Sequence, residues 1–270
     1  MKPTTLFIFS AVALLASCNE KQERREKNNN WVDQVTNKDH GPIKEKEFNG
    51  DFDEIEVSQS IEAEIVKSDK ERVVISAPEN IIDEILVDND GGKLHIHYKT
   101  GIRVMNNHRV TAKIYTKDFS KLIANSAANI VVKDKFTQEK TNIEISSAAK
   151  ITGDMEANDF DISVDSSGNF EGKIWAVDLD ADASSAASVT MSGKAKNADI
   201  SSSSGSSISA REVTAENVIA EASSGASVEI SVTSKIDAEA SSGGSVNAYK
   251  KGNVTNVTKN ESSGGSVTVQ

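Results

Sequence analysis

One cysteine in 270 residues rules out any internal disulfide, so nothing in this chain can be stapled covalently. Prolines number three and aromatic residues make up only 5%, so a core has to be assembled from Val, Ile, Leu and Ala. Arginine is almost missing from the second half, where Arg211 is the only one after residue 109. Positive charge is also outweighed overall, with a formal net charge of -11. Such a surface repels phosphate backbones, and nucleic acid is excluded as a partner. Histidine is as scarce: His40, His95, His97 and His108 are the full set. A catalytic Ser-His pair is not indicated, because the many serines follow a structural period that contains no histidine.

The single cysteine stands in an informative place. Lys2 supplies a short positive start, Leu6 to Leu15 form an apolar run, and Ala16 and Ser17 precede Cys18. The run is too short to span a bilayer and reads as an export signal over 1–17. The stretch "LASC" resembles a bacterial lipobox. That resemblance implies cleavage before Cys18 and its lipidation, with multiple acyl chains, since one chain binds membranes only marginally. An ordinary secretory signal with an incidental cysteine is the alternative. Residues 18–46 are charged and lack apolar periodicity, so they read as a disordered tether.

From Glu47 onward apolar and polar residues alternate. "FDEIEVS", "IEAEIVKS", "RVVISA", "KLHIHY" and "RVTAKIY" have strand periodicity, and only "ENIIDEILVDND" (79–90) suggests a helical turn. A serine then recurs in one frame at Ser126, Ser147, Ser166, Ser185, Ser204, Ser224, Ser242 and Ser263, with spacings of 21, 19, 19, 19, 20, 18 and 21. Two residues on stands a small residue (Ala128, Ala149, Gly168, Ala187, Ser206, Ala226, Gly244, Gly265). Four residues on stands a large one (Ile130, Ile151, Phe170, Val189, Ile208, Val228, Val246, Val267).

A linker would not preserve this parity. A period near 20 with strand alternation predicts an all-β fold, a single-stranded parallel β-helix or β-solenoid, expected to be right-handed. It would occupy 47–270, with 47–115 as irregular coils or a cap and 116–270 as regular coils. Strict alternation assigns the eight recurring serines to an inward structural ladder. It leaves Ser184, Ser203, Ser223, Ser241 and Ser262 as an outward ladder of hydroxyls. On this reading Ser224→Leu is strongly destabilising and Ser223→Leu mild. The small inward residues serve either a bend or a close approach of chain segments.

Chemistry has few candidates. His95 and His97 alternate on one strand face and could bind a metal, but such a pair is more often a solvated strand face, and no metal site is assigned. Asp161, Asp165, Asp178, Asp180, Asp182 and Asp199 fall on adjacent coils and are read as an acidic solvated face rather than a cation site. Hexapeptide acyltransferases need six-residue periodicity and a histidine within the coils, and both are missing here. No cofactor is implied.

The segment "FNGDFDEIEVSQSIEAEIVKSDKERVVISAPENIIDEILVDNDGGKLHIHY" (48–98), with the serine coils after it, resembles the head GIN domain family of auto-transporter adhesin-like proteins, often lipoproteins of Bacteroidetes. The resemblance implies a pectin-lyase-like β-helix without lyase residues, and a role in adhesion. No Gly-Ile-Asn tripeptide occurs, so no family site transfers to particular residues. The expected protein is a non-enzymatic, lipid-anchored component of the cell envelope at the outer membrane. Its expected partners are the membrane, through the anchor, and a polysaccharide or an envelope protein. A carbohydrate-active β-helix enzyme or its inactive relative, and a structural or signalling envelope protein, remain open alternatives.

Overall fold

In the computed structural model, residues 41–101 and 110–270 are described. Seventeen strands form one continuous sheet: β1 (Ile43–Asn49), β2 (Glu54–Val57), β3 (Glu62–Lys67), β4 (Arg72–Pro78), β5 (Ile85–Asp90), β6 (Lys93–Tyr98), β7 (Thr111–Thr116), β8 (Lys121–Ala124), β9 (Asn129–Ile145), β10 (Lys150–Val164), β11 (Asn169–Ala183), β12 (Ser188–Ser202), β13 (Ser207–Ala222), β14 (Ser227–Ala240), β15 (Ser245–Lys250), β16 (Asn256–Glu261) and β17 (Ser266–Val269). β1 takes up residues 43–46 of the stretch read as tether. Within 79–90 the only helical residues are a 3-10 turn at Ile82–Glu84, and Ile85–Asp90 is extended.

From β8 onward the chain is a β-solenoid in which each coil lies parallel on the one before. β11 pairs β10 and β12 in continuous register, with Phe170 opposite Ile151 and Val189, and Leu179 opposite Phe160 and Ala198. Long strands such as β11 bend and contribute to three parallel ladders in turn. The first ladder leads into the serine, the second follows it, and the third closes the coil. A coil of 19 residues is odd in length, so inward parity must change once per coil. It changes between the third and first ladders: Ala176 and Leu179 are both buried, as are Ala195 and Ala198. Equivalent side chains therefore stack, and the core is a column of Ile, Val and Ala with Phe119, Phe136, Phe160 and Phe170 as its bulkiest members.

The large residue four positions after each serine is buried in every copy, as is the small residue two positions after it in all but the last, Gly265, which is half-buried. The recurring serines themselves are not inward. Ser126, Ser147, Ser166, Ser185, Ser204, Ser224, Ser242 and Ser263 are all exposed, with φ between 47° and 55°. Each opens a two-residue left-handed corner: the following residue also has positive φ, as Ala127, Ala148, Ser167, Ala186, Gly205, Gly225, Gly243 and Gly264. The corner is closed by an i→i+3 bond, for example Ala226 N donating to Ser223 O at 3.0 Å. Positive φ at both central residues marks a type I′ turn. It inserts two outward residues in succession without altering the parity of the flanks, and strict alternation therefore misassigned the serine alone.

The corners also hold coil to coil. The second corner residue donates its N–H to the serine carbonyl of the next coil, as Ala127 to Ser147 (2.9 Å), Ala186 to Ser204 (3.1 Å) and Gly225 to Ser242 (3.2 Å). The ladder is thus one of serine backbones, not serine side chains. The small residue after the corner answers to close approach. A Cβ on Gly244 would lie 2.3 Å from the Ala222 carbonyl oxygen of the previous coil. Ser206, the one serine at this position, is buried and satisfied: its hydroxyl donates to Ala183 O (2.8 Å) or Ser203 O (2.7 Å).

These positions reorder the expected effects of substitution. Ser224→Leu should cost under about 1 kcal/mol, as for an exposed site. Ala226→Leu should cost about 1–3 kcal/mol through overpacking of a closed column. Urea unfolding of the two variants checks this, and equal losses would contradict the corner geometry.

The strands before β8, β1 to β7, stack out of sequence order. β2 and β3 form a coil with its own corner at Gln59 and Ser60, whose φ values are 59° and 60°. Ser60 N donates to Ser126 O at 2.9 Å, which joins this coil to the serine series. β6 and β7 lie on its opposite side, parallel to β2 and β3. Antiparallel pairs of β5 with β6, and of β4 with β7 and β1, finish this end.

Candidate functional site

Three surfaces carry polar side chains in regular array. The first is the serine corner. Ser184, Ser203, Ser223 and Ser241 are half-buried and Ser262 is exposed; their N–H groups donate to the preceding coil, Ser223 to Ser202 O at 3.0 Å. The exposed Ser185, Ser204, Ser224, Ser242 and Ser263 stand beside them. A third row follows the turn, where Ser188, Ser207, Ser227, Ser245 and Ser266 are in register. The corner thus presents three rows of hydroxyls over five coils, where one row was expected. Adjacent coils repeat at about 4.8 Å.

The second surface is the outer side of the first ladder. Asp159, Asp161, Asp178, Asp180 and Asp199 line a groove of about 710 Å³, with Asp182 on the same face, while Asp165 stands apart at the serine corner. Lys140 bridges Asp159 (3.1 Å) and Asp161 (3.0 Å). Asn197 donates to Asp178 (2.7 Å), and Asn217 to Asn197 (2.9 Å). Partial burial, then repulsion from Asp182 and other neighbouring acids, raises the Asp180 carboxyl above the ordinary carboxylate range, and Asp199 is raised by burial and Asp182. The amide rungs and Lys140 are what makes this row of acids tolerable. Among the described residues, no group of three or more His, Cys, Asp or Glu is arranged to hold a metal ion.

The third surface is the histidine pair on β6. Its rings stack at 4.1 Å with an interplanar angle of 23°. His97 shares a 3.0 Å contact with Asp88, and its Nδ1 lies 2.8 Å from Tyr98 O. His95 Nε2 lies 2.7 Å from the hydroxyl of buried Ser58 and 3.6 Å from Glu56. Ser58 and His95 are 37 residues apart in sequence, and only the out-of-order stacking of β6 on β2 brings them together. Serine and carboxylate both approach the same ring nitrogen, so this is not the relay of a nucleophilic triad, in which they sit at opposite nitrogens.

Burial holds the His95 imidazole below its ordinary 6.5, and Glu56 opposes this only in part; His97 and Lys93 add to the lowering. Glu56 itself is held below 4.5: burial raises it, but the Lys93 bond, His95 and Asn125 outweigh that. A depressed histidine is protonated more readily in the unfolded chain. Its contribution to stability is therefore complete above about 6.5 and is lost as pH falls through the folded value. Asp180 and Asp199 have the opposite sign, since carboxyls raised above the ordinary 3.8 favour the fold as they protonate. As pH falls from about 7 through 6.5 the unfolded chain's histidine takes up its proton first, so urea midpoints should fall on acidification. His95→Gln should flatten that fall; an unchanged slope would refute the assignment.

The Cys18 site and the export signal lie outside the described residues, as does His108. Among the described residues no helix is long and apolar enough to cross a membrane.

With this architecture in view, the chain can be set beside known proteins. The family model "Putative auto-transporter adhesin, head GIN domain" matches residues 51–252, well over half of the sequence. The chain belongs to this family. Among solved structures, a "putative adhesin" from Parabacteroides merdae aligns with a TM-score of 0.76 at 19% identity, covering 85% of this chain and 97% of that one. A "putative adhesin" from Parabacteroides distasonis gives 0.76 at 18%, covering 86% and 98%. A "Putative lipid binding protein" from the same species gives 0.71 at 18%, covering 85% and 97%. At such identities the likeness is one of fold. No curated protein matches the chain significantly. The head GIN family places this β-solenoid with adhesin-like proteins, consistent with an exported envelope protein.

Proposed function

We propose that this head GIN protein is a non-enzymatic adhesive module, held to the outer membrane by lipid on Cys18 and binding an extended polysaccharide along its serine corner. The observation that carries the reading is the three-row hydroxyl edge. Its spacing is set by the backbone ladder, so the donors and acceptors are fixed before a ligand arrives and little ordering entropy remains to be lost. A repeating array suits a repeating polymer. The acidic groove, by contrast, has its amides and Lys140 engaged with its own carboxylates.

Two experiments test the two halves. Palmitate labelling of cells making the protein should disappear in Cys18→Ala, and persistent labelling would refute the anchor. For adhesion, Ser203→Val, Ser223→Val and Ser241→Val together should abolish retention on a polysaccharide column that retains the parent, at unchanged melting temperature. Retention unaffected by the triple change would exclude the serine corner. Capture of one specific protein in place of any polysaccharide would favour the reading as an envelope scaffold.

A further inference from the structure

Trp175 is out of keeping with the rest of the surface. Among the described residues it is the one exposed large aromatic side chain, 44% accessible on the outer side of the third ladder. Nothing in the coil requires it there. The positions in register with it are Glu156 on one side and Lys194 on the other, both compatible with water. Leaving a tryptophan face wet forgoes burial of a large apolar side chain, so its presence at an exposed rung asks for a ligand.

The ring borders a groove of about 670 Å³, within the ~300–1,000 Å³ span of small-molecule sites. A second hollow of about 410 Å³ adjoins it, sharing Asp154, Lys173, Ser192 and Glu212 as the ridge between them. The hollows arise from the bend between second and third ladders. Gly153, Gly172 and Gly193 stand there because the coils approach too closely for a side chain: a Cβ on Gly172 would lie 2.4 Å from Gly153 O. The packing rule of the coil thus carves the concavity that Trp175 overlooks.

The charges around the ring are unequal in availability. Glu156 is engaged by Lys135, whose bond holds its carboxyl below the ordinary range. Lys173 and Lys194 make no ion pair among the described residues. Lys194 is one coil from Trp175, about 4.8 Å along the ladder, and Lys173 is two residues before it on the same side of the strand, about 7 Å away. Two ammonium groups with no ion-pair partner therefore flank one aromatic face, Lys173 also acting on Glu156 at longer range, with Asp154 and Glu212 farther along the groove lining. The apolar strip is a single ring wide and bounded by charge, too narrow for the apolar centre of a protein interface. A pyranose fits it: the C–H face of the sugar lies on the indole, and its polar rim meets the lysines.

We infer that the Trp175 groove binds a pyranose unit bearing a carboxylate, as in a uronate-containing glycan, with Lys173 and Lys194 taking the carboxylate. This site is on a different ladder from the serine corner and stands independently of it.

The test uses the full chain with Trp31→Phe, which leaves Trp175 as the only tryptophan of the two. Oligogalacturonate and glucuronate oligosaccharides should change its emission saturably, with the neutral galactose and glucose oligosaccharides at least tenfold weaker. Calorimetry on the parent chain should show that binding is lost in Trp175→Ala and weakened at least tenfold in Lys173→Gln with Lys194→Gln, at unchanged melting temperature. The inference is overturned by no saturable change with any carboxylated probe, by equal binding of the neutral probes, or by binding that survives Trp175→Ala. Carboxylated-glycan binding lost only in the serine-corner triple variant would also overturn it while supporting the corner.

Discussion

Gly193→Ala should lower the unfolding free energy by about 4 kcal/mol, the sum of overpacking (about 1–3) and a strained backbone angle (about 1–3). The new Cβ would lie 1.8 Å from the Ile174 carbonyl oxygen and 2.9 Å from its carbon. That carbonyl belongs to the parallel ladder between β11 and β12, so it cannot swing away without surrendering a rung. The φ of Gly193, +124°, is one that side chains rarely adopt. Gly205→Ala is the control. Its φ is +70°, nothing lies within 4 Å of the added carbon, and Ala127, Ala148 and Ala186 already occupy the same corner position. It should change stability by less than about 1 kcal/mol. Urea unfolding of both variants decides the matter. Equal small losses would mean that the coils are not held at the spacing the glycines imply.

The contrast between these two glycines also explains how much of the fold could be read in the sequence. Inward positions such as Val189, Ile208 and Val228 repeat with strand parity, and parity is a property of an extended chain that survives from coil to coil. The corner breaks the rule for two residues and then restores it, so Ser224 lies in frame with Ala222 and Ala226 yet faces water. Only the backbone angle distinguishes it, and the residues that report this angle (Gly205, Gly225, Gly243, Gly264) occur at the second corner position in half of the serine copies. Glycine after serine at that position is the mark the corner leaves in the sequence.

The first coil was hidden for another reason. Its corner reads Gln59-Ser60-Ile61, with a bulky residue where the others have Ala, Gly or Ser, and β6 stacks on β2 across intervening antiparallel strands. Nothing local predicts that order, and with it went the contact between Ser58 and His95. The outward serines were legible as an array, although two of the three hydroxyl rows were not. Trp175 carried a signal that periodicity analysis passes over: an aromatic at an outward register position, between Lys173 and the Lys194 of the next coil, in a chain with few aromatics.

Stacking makes the core as sensitive as the bends. Phe170→Ala should cost about 4 kcal/mol, in the range for emptying a buried phenylalanine site. Phe170 is fully buried, and its row continues through smaller residues, Ile151 on one side and Val189 on the other. Its bulk is matched by missing volume nearby. Gly172 leaves room for the ring, since a Cβ there would sit 3.1 Å from Phe170 Cζ, and Gly168 sits against Ile145 and Val164 with no space for a methyl group. Those glycines are fixed by the approach of the backbones, so the chain cannot collapse into the vacancy. In a solenoid each coil is supported only by its neighbours, and the vacancy weakens two interfaces at once, with β10 and with β12. Hydrogen exchange should then show the amides of β10, β11 and β12 opening together at lower free energy, while those of β2 and β3 keep their protection. A loss below about 1 kcal/mol, or a uniform loss along the whole rod, would mean that the phenylalanine and the glycines are not matched volumes and that the coils do not act as nearest-neighbour units.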